Sequence, residues 1–163
     1  MARPPLEVEV RGGRELARIS RELRRMGDGK QLKAEFGREL RAVAAPLVPA
    51  VRASIKAIPA DSGHHSGLRA RLARATRLQV RTVGKQAGVS IQVDGRKMPN
   101  HQKALQAYME GLKRPWRHPV FGNTNVWVKQ EPHPYFYKTV RPLGGASRVA
   151  VNRVLDKTAQ KIT

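Results

Sequence analysis

Between Leu32 and Ile58 an apolar residue recurs at every third or fourth position: Leu32, Phe36, Leu40, Val43, Leu47, Val51, Ile55 and Ile58. Only an α-helix gathers such positions onto one side. A helix from about Lys30 to Ile58 with a single apolar stripe needs another layer to cover it, and that requirement shapes everything else in the chain. Pro46 and Pro49 fall inside the pattern. Each lacks a backbone donor and crowds the preceding turn, which predicts a kink or break near Ala45. The stripe keeps its register across both prolines, so the expectation is one kinked helix and not two unrelated ones.

A shorter helix is predicted before it, from Arg14 to Met26. Leu16, Ile19, Leu23 and Met26 face one way, and Gly27-Asp28-Gly29 ends it. Further on, the period changes to two. Leu78, Val80 and Thr82 alternate with Gln79, Arg81 and Val83, and Val89, Ile91 and Val93 alternate with Ser90, Gln92 and Asp94. This predicts a β-hairpin around the stretch Gly84 to Gly88, with one apolar face for the long helix to cover. His101 to Lys113 reads as helix again, with Asn100 as its N-cap. Val120-Phe121 and Val126-Trp127-Val128 read as short strands that extend the sheet. Phe136, Val140, Leu143, Val149, Ala150, Val154 and Leu155 form a final inward stripe, but Pro142 and Gly144-Gly145 confine the secure helix to about Ala146–Lys161. The expected fold is α+β: a small antiparallel sheet packed against a long, kinked N-terminal helix and a C-terminal helix. One domain accounts for residues 1–163, with 1–13 a flexible or extended arm.

Charge narrows the function. The chain carries 32 Lys and Arg against 12 Asp and Glu, a formal charge of +20. Such an imbalance attracts polyanions, nucleic acid above all. No acid lies between Asp61 and Asp94, a stretch that holds Arg69, Arg71, Arg74, Arg77, Arg81 and Lys85. These six are the candidate surface for DNA or an acidic partner, and the alternative is a solvated face that maintains solubility.

Chemistry leaves few traces. There is no cysteine, so thiolate catalysis, thiolate metal sites and disulfides are excluded. No glycine-rich phosphate loop, GxSxG or HExxH occurs, and no cofactor is implied. His64-His65 has no third ligand near it in sequence, and a flexible polar loop is the better reading. His133 with Glu131 could form a general-base pair, yet histidine beside proline in a turn is commonly structural. The chain reads as a non-enzyme. No apolar run approaches the roughly 20 residues that span a bilayer, and residues 1–13 lack an apolar signal core, so a cytoplasmic product without a membrane is expected.

Residues 114–136, RPWRHPVFGNTNVWVKQEPHPYF, concentrate both tryptophans with several prolines. Trp116, Arg117, His118, Phe121, Trp127, Tyr135 and Phe136 are candidates either to seal a small sheet or to form a subunit contact. His118 is expected to fix a turn between Trp116 and Val120 through a backbone hydrogen bond. The run WRHPVFGN, a tryptophan shortly after it and PYF opening a last helix resemble the neck and tail-completion proteins of long-tailed bacteriophages. The specific part of the likeness is Pro115 to Phe136, and the rest follows by order of elements. The resemblance implies a structural virion protein, assembled in the host cytoplasm as a homo-oligomeric, expectedly hexameric, ring at the head–tail junction. It implies a tail-tube protein and a neck or stopper protein as partners, with genomic DNA touched through phosphates and not base edges. The alternative is a free-standing, sequence-nonspecific DNA-binding protein, against which stands the separation in sequence of the aromatics from the basic run.

Overall fold

A computed structural model describes residues 6–11, 13–26, 29–59, 67–82, 88–99, 103–111, 116–120 and 123–162. Strand β1 (Leu6–Arg11) leads into helix α1 (Gly13–Arg25), then α2 (Gly29–Ala44) and α3 (Leu47–Lys56). Next come α4 (Leu68–Arg74), β2 (Thr76–Arg81), β3 (Gly88–Val93), a 3-10 turn (Gly95–Lys97) and α5 (Leu105–Met109). Strands β4 (Trp116–Val120) and β5 (Asn123–Gln130) precede the long α6 (Tyr137–Lys161). The architecture is the expected α+β one.

The long helix bends where the prolines require it. Ala45 and Pro46 form a turn between α2 and α3, which together make one bent helix. Pro46 sits at the N-cap of α3 and Pro49 in its first turn, where a missing N–H removes no intrahelical bond. The apolar stripe passes through the bend: Phe36, Leu40, Leu47, Val51, Ile55 and Ile58 are all buried. Full burial of each such side chain contributes about 1.5–3 kcal/mol.

That stripe lies against a three-stranded antiparallel sheet of order β1-β3-β2. The central row pairs Ile91 with Val8 on one side and Leu78 on the other, and Val93 with Leu6 and Thr76. The opposite face carries Gln92 between Glu7 and Arg77, and Ser90 beside Gln79. Both Ser90 and Gln92 are nonetheless buried, on the middle strand of the three. Helix α6 packs on α1, α2 and α3 and closes the core with Val140, Val151, Val154 and Leu155. Lys157 reaches Glu39 and Lys161 reaches Glu35, tying α6 to α2 at the surface.

Four expectations need correction. Residues 6–11 of the expected arm are extended, but as a strand laddered to β3. The strands of the aromatic segment do not extend the sheet: β4 and β5 form a separate two-stranded ribbon. Pro119 in β4 cannot donate to a ladder, and the register shifts between Pro119 and Val120, both of which suit a ribbon better than the interior of a sheet. Trp116–Val120 is accordingly strand and not the turn assigned to His118. Finally, α6 is continuous from Tyr137, with Pro142 inside it. The bond Pro142 forgoes would have gone to the Lys138 carbonyl, and both residues are exposed, so water can serve that carbonyl. Its buried residues are Val140, Val151, Val154, Leu155 and Thr158, with Leu143 and Val149 left exposed.

Of the remaining expectations, Met26 is exposed and not in the core, and the helix expected over 101–113 appears as α5, Leu105–Met109, between turns. The hairpin turn, the Asn100 cap, His64 and His65 lie outside the described residues.

Candidate functional site

The acid-free stretch divides between two elements. Arg69, Arg71 and Arg74 lie on α4, which the period analysis did not anticipate, and Arg77 and Arg81 lie on β2. Lys85 falls outside the described residues. Arg69 is partly buried, and its guanidinium donates to the Ile58 carbonyl at 2.6 Å, fastening the end of the bent helix to α4. Arg69 thus has a structural bond to the bent helix. Arg52 does similar work at the other end of α4, donating to the carbonyls of Ala73 and Thr76; a cation there also complements the helix dipole.

Arg71, Arg74, Arg77 and Arg81 are exposed. Arg77, Gln79 and Arg81 alternate with Leu78 and Val80, so they share the outer sheet face, where Glu7 joins them across Gln92. The 3-10 turn packs on α4 and adds Arg96 and Lys97 nearby. Asp94, almost fully buried, anchors this region. One carboxylate oxygen accepts from the Arg96 N–H and Nε, and the other from its Nη2. The Arg96 side-chain bonds, followed by the backbone bond and the Arg96 and Arg77 charges, outweigh burial and hold Asp94 below the ordinary carboxylate range.

The aromatic candidates part company. Tyr135 and Phe136 have no exposed surface and belong to the core. They are held by a residue that sequence reasoning passed over: Glu110, 6% exposed. Its Oε2 accepts the Tyr135 and Phe136 N–H groups at 2.9 and 2.8 Å, and its Oε1 accepts the Tyr137 N–H at 2.8 Å. A carboxylate therefore occupies the positive N-terminus of α6 and satisfies three donors that have no intrahelical partner. Burial, and then the Glu110 charge, push the Tyr135 hydroxyl well above the ordinary phenol range.

Trp127 is exposed, as are Val126 and Val128 beside it, at 47, 49 and 44%. No other element packs closely against β4 or β5 among the described residues. Every residue from Asn123 to Lys129 is exposed, and so is Arg117. Trp116 and His118 hold positions in β4 opposite Gln130 and Val128, while Phe121 lies outside the described residues. On β5 the alternation places Val126 and Val128 on one face and Trp127 and Lys129 on the other. Among the described residues no three His, Cys, Asp or Glu side chains gather as metal ligands, and no helix is long and apolar enough to cross a membrane. The Glu131 of the possible general-base pair bonds Lys129 instead.

No family model matches the chain, and no curated protein or solved structure matches it either.

Proposed function

We propose that this protein is a structural subunit of the head–tail junction of a tailed bacteriophage, assembling as an oligomeric ring that completes the tail tube and joins it to the neck. The observation that carries the reading is where exposed apolar side chains collect. Val126 and Val128 lie on the ribbon, and Leu143 and Val149, 39 and 52% exposed, stand out from α6 at two angles about its axis. Exposed apolar side chains on two different elements of one chain suit a heterologous contact, ribbon of one copy on α6 of the next, and such contacts form a ring where the rotation between copies closes. The unbroken closing helix supports the same reading, since the resemblance to neck proteins implies one. Copies carrying +20 each repel, so assembly should strengthen as salt screens them.

Light scattering of the purified protein at moderate and high salt, alone and with a tail-tube protein, tests this. A closed ring, alone or on that partner, is expected. A persistent monomer or dimer that ignores tail components overturns the proposal. The exposure of Arg71, Arg74, Arg77 and Arg81 favours the second reading, a free-standing DNA-binding protein, which predicts that persistent monomer together with duplex binding that weakens steeply with salt.

A further inference from the structure

Between Trp116 and Gln130 the ribbon contains no acidic residue. Its register sets Arg117 opposite Lys129 and Pro119 opposite Trp127. Cross-strand partners share a face, as do residues two apart on a strand, so two cations stand one step from an indole on the same side of the ribbon. All three side chains are exposed. The Trp127 Nε1–H is already donated to the Thr124 carbonyl at 2.7 Å. That bond steadies the ring and uses its only donor, so what the indole offers a partner is π surface. Lys129 pairs with Glu131 at 2.8 Å, with both side chains more than half exposed; such a pair contributes little and exchanges readily for another anion. In sequence the aromatics and the acid-free basic run are far apart. Strand pairing interleaves Trp127 with a different pair of cations.

We propose that this face of the ribbon binds a single nucleic-acid strand, with a base stacked on Trp127 and adjacent phosphates on Arg117 and Lys129. Each feature then has a use: an indole whose donor is occupied stacks, two cations flank it, and no carboxylate on the ribbon repels the backbone. An acidic protein is the less favoured occupant because an indole whose donor is already engaged offers a carboxylate nothing, whereas a base stacks on its π surface. The opposite face, with Val126 and Val128, remains available for the subunit contact, so the two proposals stand or fall separately.

The test is titration of tryptophan emission with a single-stranded oligo-dT and with a duplex of equal length, at about 50 mM salt where phosphate contacts are strongest. Emission should be quenched in the unmodified protein and in Trp116→Phe, but not in Trp127→Phe. Trp127→Ala should weaken single-strand binding roughly 5- to 150-fold, and Arg117→Ala and Lys129→Ala should each reduce the salt slope by about 0.7. The duplex should quench less because its bases are already stacked. Binding that is absent, or that is indifferent to Trp127→Ala and Arg117→Ala, overturns the proposal. So does a Trp127→Ala variant whose assembly mass changes while its affinity for DNA does not, an outcome that would give the face to a protein partner.

Discussion

Glu110 makes the sharpest claim about what holds the domain together. Glu110→Ala would leave three donors at the head of α6 without their acceptor. The bonds from the Tyr135 and Phe136 N–H groups are buried, and that from the Tyr137 N–H is partly accessible. An unsatisfied buried donor costs about 1–3 kcal/mol. Two of them would cost about 2–6 kcal/mol, and the relief from no longer desolvating a carboxylate brings the loss to about 2–4 kcal/mol. Glu110→Gln keeps one carbonyl oxygen for Tyr135 and Phe136, but turns an amide N–H₂ toward the Tyr137 N–H and removes the charge. It should cost about 1.5–3 kcal/mol. For a domain of this length each kcal/mol moves Tm by about 2–4 °C, so the alanine variant should melt roughly 4–16 °C lower, with glutamine between it and the parent. Thermal and urea unfolding followed by circular dichroism measure this. If both variants melt within 2 °C of the parent, the carboxylate is not what fixes the start of α6.

Two further outcomes follow from local geometry. Asp94→Asn keeps an oxygen for the Arg96 N–H but gives up the charge-assisted bonds to the Arg96 guanidinium, so it should destabilise the protein by about 1 kcal/mol at neutral pH. The folded-state pKa of Asp94 is lowered, so its contribution is present above the unfolded value of about 3.9 and is lost as pH falls through the folded one. The gap between parent and variant should therefore close in acid, and a gap that persists or widens there contradicts the assignment. At Gly29 an added Cβ would lie 1.7 Å from the Leu23 carbonyl oxygen. Backbone cannot yield as a flexible side chain does, so Gly29→Ala should cost about 2–3 kcal/mol, and unchanged unfolding would disprove that close approach.

The parts of the fold legible in sequence are those set by long apolar periodicity. The Leu32–Ile58 stripe gave the bent helix with its break at Ala45, and Val89-Ile91-Val93 gave the central strand. Where neighbours in space decide, the pattern misled. Leu143 and Val149 match a helical stripe loosely, but no residue of α6 between Val140 and Val151 is buried, so the apolar pattern there reports no packing. Leu68 and Leu72 make too short a pattern to announce α4. Glu110 looks like any helical acid until Tyr135, 25 positions away, is brought over it. Likewise, Trp127 looks as suited to a core as Phe136, and only the separation of the ribbon from the sheet leaves it outside. The cations beside it emerge from strand register and not from spacing.

The heterologous contact is the centre of the account, and mixing two damaged copies tests it most directly. One variant carries Val126→Asp and Val128→Asp on the ribbon, the other Leu143→Asp and Val149→Asp on α6. Each alone should be monomeric by light scattering under conditions where the parent forms its ring. Mixed, they retain one intact ribbon and one intact α6 face between them, so a one-to-one dimer that grows no further is predicted. A mixture that stays monomeric while the parent oligomerises, or variants that still close rings alone, would contradict the ribbon-on-helix contact.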